Sequence, residues 1–248
     1  MNKPHLSYRT SNPALNSNTF KASNNSFLLD DKMTIQGTVD KTAISLVLLV
    51  IAAYYTYSAG MESMIMLGSI GGLILALITI FKKEWAPFTV PLYAILEGLA
   101  LGSISYLYNL QYEGIVLQAI SITVLVLFSL LFAYRTKIIK PTENFKLGLF
   151  AATGGIFLLY MVSFIMSFFG SGISLLSSNN SSMLSIGLSL GIVIIAALNL
   201  VIDFDFIEEG SEKGAPKYME WYAAFGLLVT LIWLYLELLR LLAKMKNR

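Results

Sequence analysis

The stretch Met183–Phe206, MLSIGLSLGIVIIAALNLVIDFDF, decides the fold. Asp203 is its first side chain to carry a charge, and everything before it except Asn199 is apolar, small or hydroxyl-bearing. A helix needs about 20 such residues to cross the hydrocarbon core of a bilayer. The stretch is apolar around its whole circumference, so it has no polar face to turn toward water. It reads as a membrane span.

Six more stretches read the same way: Thr42–Ser58, Ser63–Phe81, Ala86–Tyr108, Gly114–Tyr134, Leu147–Phe169 and Trp221–Ala243. The predicted fold is therefore an all-α membrane protein, a bundle of seven transmembrane helices. Short connections lead us to expect successive helices to pack as antiparallel neighbours. Composition agrees. The 248 residues are 56% hydrophobic and 13% charged, where a soluble domain carries about a quarter charged. Residues 1–40 differ: rich in Asn, Ser, Thr and Lys, they form a polar N-terminal arm ahead of a transmembrane domain at 41–248. The arm has no early apolar run of the signal-peptide kind, so it is expected to be retained and not translocated.

Lysines and arginines set the orientation. The arm holds Lys3, Arg9, Lys21 and Lys32, with Lys41 at its edge. The second, fourth and sixth connections hold Lys82 and Lys83, then Arg135, Lys137, Lys140 and Lys146, then Lys213 and Lys217. The intervening connections hold none, which predicts a cytoplasmic N-terminus. The tail (Arg240, Lys244, Lys246, Arg248) breaks the alternation. Either helix 7 crosses despite it, the favoured reading, or it re-enters and leaves the tail cytoplasmic.

A charged side chain at mid-membrane costs about 2.5–3.5 kcal/mol on insertion scales, so each is a candidate for function. Glu97 lies in the middle of helix 3, followed by Gly98 and Gly102, a small-xxx-small step that admits a close neighbour. It is either a protonated carboxyl bonded across a helix interface or a titratable group lining a pathway. Asn199 and Asp203 are four apart on one face of helix 6. Asp205 points elsewhere and reads as a solvated rim carboxylate with Glu208 and Glu209. Glu237 in helix 7 has Arg240 three residues on, a structural pair or a functional one. Gly187 and Gly191, Gly71–Gly72 and Gly154–Gly155 read as packing positions. Trp85, Tyr108, Trp221 and Tyr222 read as interface anchors.

Much chemistry is excluded. With no cysteine, and His5 of the arm the only histidine, the bundle has neither a base for a serine protease nor thiolate or imidazole ligands for zinc. It has no GxGD, no phosphate-binding GxxxxGK[ST], and no mid-membrane lysine in helix 7 for a Schiff base. No enzyme, no cofactor and no resident metal are expected. A net charge of +2 gives no reason to invoke nucleic acid; the lipid bilayer is the partner the composition demands.

Four stretches together carry a resemblance: SNPALNSNTF in the arm, YAILEGLALGSIS in helix 3, ALNLVIDFDFIEEG closing helix 6, and GAPKYMEWYAAFGLLVTLIWLYLELLRLL. They resemble the bacterial Bax inhibitor-like (YccA-type) branch of the transmembrane Bax inhibitor motif family. The resemblance implies a bundle with helix 7 central, in the cell (inner) membrane. It implies a pH-sensitive cation leak, usually proposed for calcium, controlled by carboxylates on helices 6 and 7. Those carry over to Asp203 and to Glu237, where LYLE stands for the family's LYLD. The segment between the two acids is longer here than in the better-studied branch. Two carboxylates brought together at low dielectric share a proton, and losing it would add repulsion or admit a divalent cation. Since a filled calcium site takes 6–8 oxygens, Asp203, Glu237, Glu97 and Asn199 would hold the ion only in transit. The resemblance also allows a different class of protein, a non-conducting modulator that binds a membrane-bound ATP-dependent protease.

Overall fold

The computed structural model describes residues 32–170 and 172–248; the first 31 residues of the polar arm lie outside them. Each expected span has its helix: α1 (Ile35–Ala59), α2 (Met64–Phe81), α3 (Ala86–Gln111), α4 (Ile115–Arg135), α5 (Glu143–Ser167), α6 (Met183–Glu212) and α7 (Met219–Lys246). All seven are long and apolar enough to cross a membrane. A backbone without water must satisfy its own hydrogen bonds, which the helix does internally. Most of the helices run past the expected bounds, because polar residues leaving the hydrocarbon can stay helical. The largest extension is at the start of α1, which begins at Ile35 rather than Thr42. There Thr34 caps it, its hydroxyl oxygen accepting from the Gly37 N–H at 2.9 Å.

Helix α7 is the axis. Its apolar window is 67% buried, against 50% in α3 and α6 and only 6% in α5. Tyr222, Phe225 and Leu228 of its first half pack with Val90, Tyr93 and Ala94 of α3. Leu234, Leu238 and Leu239 of its second half pack with Ala196 and Leu200 of α6. Tyr222 is 1% exposed, so it is a core residue and not an interface anchor: it lies on the inward face of the most enclosed helix. Trp221 beside it is half-buried, with the Lys41 ammonium 5.7 Å from its ring centre.

The order of packing departs from the sequential expectation. Helix α1 lies chiefly against α3, and α3 lies between α1 and α2. Glycines are the cause. A methyl at Gly98 or Gly102 would run into the α1 backbone at Leu49 and Ala53, and one at Gly68 into the α3 backbone at Leu96. The small-xxx-small step of α3 thus takes α1 as its partner, and the short loop to α2 does not override it. Gly187 and Gly191, with the same spacing, face open space, as do Gly154 and Gly155. Small residues permit close approach; they do not compel a helix to be there.

The chain crosses a seventh time. The Met33 N–H donates to the Ala215 carbonyl at 2.7 Å, so α1 starts at the α6–α7 end of the bundle. At the other end, Lys246 Nζ donates to the Glu113 carbonyl (2.9 Å) and Asn247 Nδ2 to the Ser178 carbonyl (3.2 Å). The tail therefore sits with the α3–α4 and α5–α6 connections. Two of its four basic residues have partners inside the bundle, Arg240 with Glu237 and Lys244 with backbone and hydroxyl oxygens. Counting them as free loop charges is what made the tail look misplaced.

Candidate functional site

Helix α5 is the least attached helix of the bundle. Only Lys146 and Leu149 of its residues are buried, and Gly148, Gly154 and Gly155 have nothing within 4 Å of an added Cβ. Three polar contacts link it to α6 and α7. Lys146 forms an ion pair with Asp205. Thr153 Oγ1 accepts from Asn199 Nδ2 at 3.0 Å. The Tyr160 hydroxyl donates to Glu237 Oε1 at 2.7 Å. Residues 146, 153 and 160 are seven apart. Two helical turns return nearly to the same face, so the three contacts lie on one line about 10 Å apart in depth.

The third level is the densest. Glu237 is 2% exposed. Arg240 Nη1 donates to both its carboxylate oxygens, at 3.0 Å each, and also bonds the Tyr160 hydroxyl. The guanidinium carbon stands 5.2 Å from the Tyr160 ring centre. A buried carboxylate left alone is costly, and here a guanidinium and a hydroxyl converge on it. One turn further on, Lys244 is fully buried among the Leu175 carbonyl, the Ser185 carbonyl and the Ser189 hydroxyl. From Asp205 to Ser185 the seam follows 20 residues of α6, about 30 Å, the thickness of the hydrocarbon core. It is a line of polar groups through the membrane, set beside a helix with little apolar adhesion.

Several of the residues singled out in the sequence meet here. Glu237, Arg240 and Asn199 belong to the seam. Asp205 does too, which corrects its reading as a solvated rim group: Lys146, assigned to a loop, is the first-turn residue of α5 that reaches it. Asp203 is 2% exposed, one turn from Asn199 on the same side of α6. It lies nine residues before the end of α6, and Glu237 lies 18 after the start of α7. On antiparallel helices this separates the two acids by about 13 Å in depth. Glu97 stands apart, its carboxyl against Gly72 of α2, with no hydrogen bond or ion pair among the described residues. No group of three or more His, Asp or Glu that could hold a metal occurs among the described residues.

Thr153, Tyr160 and Glu220 were not singled out in the sequence, where Lys244 counted only as a charge of the tail. Glu220 is fully buried. Its Oε1 accepts from the Thr34 N–H (3.0 Å) and hydroxyl (2.9 Å) and pairs with Lys217 at 3.1 Å. It ties the first turn of α7 to the positive end of the α1 dipole. Gly37 leaves room there for the carboxylate, whose atoms would meet any added Cβ. The available signal was an acid in a helix first turn with a lysine three residues before it, a pattern common on solvated surfaces too.

A family model described as Bax inhibitor 1 like matches residues 12–247. Neither a curated protein nor a solved structure matches the chain.

Proposed function

The chain belongs to the Bax inhibitor 1-like family, and from that premise and the polar seam we propose that it is a pH-sensitive cation leak, with calcium as the cation and α5 as the helix that yields. The bacterial YccA-type branch is the one its helix 6–7 sequence resembles, with the N-terminus in the cytoplasm of a cell-membrane protein. The supporting observation is that α5, otherwise facing lipid, is tied to the bundle at Asp205, Asn199 and Glu237 through single polar side chains.

An ion crossing here would exchange its hydration for seam oxygens a few at a time. Glu237 is the control point: while its charge holds Arg240 and Tyr160 together, the seam is closed around them. A proton on Glu237 removes the charge that binds Arg240, and the deepest tie to α5 weakens. Asp203, buried one turn from Asn199, supplies a second carboxylate along the route. Its distance from Glu237 in depth argues for two stations in series over one shared proton. No chemical reaction and no resident metal or cofactor enters this reading.

The test is calcium uptake into liposomes holding the purified protein, from about pH 5 to about pH 8. Native protein should conduct with a flux that varies with pH. Glu237→Gln should flatten that variation, and Tyr160→Phe should raise flux at every pH by removing one tie to α5. If native protein passes no calcium at any pH, the leak is refuted. Should arm truncation then change the activity of a membrane protease in cells, the chain is a modulator.

A further inference from the structure

Lys244 is the one lysine of α7's membrane-crossing surface that is wholly enclosed, and it has no carboxylate beside its ammonium among the described residues. An ammonium has three donors, and here each has an oxygen: the Leu175 carbonyl at 2.7 Å, the Ser189 hydroxyl at 2.8 Å and the Ser185 carbonyl at 3.4 Å. The Leu175 carbonyl is itself fixed, because the Ser185 hydroxyl donates to it at 2.8 Å. Two other segments converge on this α7 nitrogen: the turn at Ser174–Leu176 and the start of α6. The last-turn carbonyls of α7 also favour positive charge at this end.

Neutral oxygens converging on a buried cation are the chemistry by which carbonyl-lined filters replace the water around an alkali ion. A divalent ion would demand carboxylates as well. We infer that these oxygens form a monovalent-cation site in which the Lys244 ammonium, a cation tethered to the chain, takes the place of a free ion. It stands one turn beyond Arg240, at the tail end of the seam, and so stops that end. The blocking role rests on the seam being a leak pathway; the cation site does not.

The two are separated by two measurements on the full-length protein. The first is thermal unfolding in detergent, in potassium chloride against N-methyl-D-glucamine chloride of equal ionic strength. Lys244→Ala and Lys244→Ser vacate the site and should melt several degrees higher in potassium, because an ion that binds only the folded state stabilises it. Native protein, and Lys244→Arg, which keeps a tethered cation in the site, should melt alike in both salts. If neither Lys244→Ala nor Lys244→Ser gains from potassium, including by folding in neither salt, the site is refuted. The second is potassium efflux from liposomes, which Lys244→Ala should raise several-fold over native. Stabilisation by potassium without added efflux would keep the site and overturn its role as a block.

Discussion

Arg240→Leu should be the most damaging single change in the seam, lowering stability by about 3–5 kcal/mol, the cost of leaving a buried charge without its partner. Glu237 would keep Tyr160 as a donor, but the only cation bonded to it among the described residues would be gone. Glu237→Leu should cost less. Arg240 has a side chain 26% exposed, against 3% for Glu237, and its long stem lets the guanidinium move toward the membrane surface, as such side chains do. The double change Glu237→Leu, Arg240→Leu should recover most of the loss, since it leaves no buried charge without a partner. Reversible unfolding of the four proteins in one detergent gives the coupling directly. Additive losses would show that the pair is not an interacting unit, and the closed state of the proposed leak would lose its lock.

The sequence made the seven helices legible because lipid imposes a length and a composition on anything that crosses it. It also exposed the local pair Glu237–Arg240, whose members are three residues apart. The rest of the seam is non-local. Lys146, Thr153 and Tyr160 share a face of α5, but a lysine, a threonine and a tyrosine at seven-residue spacing mean nothing until another helix offers partners. Lys146 and Lys244 were read through the distribution of loop charge, a statistical rule that treats every lysine as solvated. Glu220 escaped for the same reason, sitting at a span end where acids are ordinarily wet. The central place of α7 came from family resemblance; the span read from its sequence, Trp221–Ala243, is apolar with two charges near one end and resembles the outer helices. Depth decided the matter for the two acids of helices 6 and 7. Their separation follows from the short α6–α7 connection and the regular rise of a helix, and could have been computed once both boundaries were known.

Gly102→Ala should be the most damaging change outside the seam, although it adds only one methyl group. The new Cβ would overlap the Ala53 carbonyl and the Thr56 hydroxyl of α1. Neither can step aside: the carbonyl belongs to a helix backbone, and the Thr56 hydroxyl lies 3.0 Å from the Leu99 carbonyl, its interhelical acceptor. Relief requires α1 to move off α3, which opens the Gly98 contact one turn away and breaks that hydrogen bond. Overpacking of this kind costs about 1–3 kcal/mol, and losing the hydrogen bond adds about 1 kcal/mol. Gly102→Val should exceed that and prevent recovery of folded protein. Gly187→Ala is the control. The chemistry is the same, the helix is equally apolar, and nothing lies within 4 Å of the added atom, so the better helix propensity of alanine should leave stability unchanged or slightly raised. Equal losses at both glycines would mean that α1 and α3 are not in backbone contact, and with that the placement of α3 between α1 and α2 would fail.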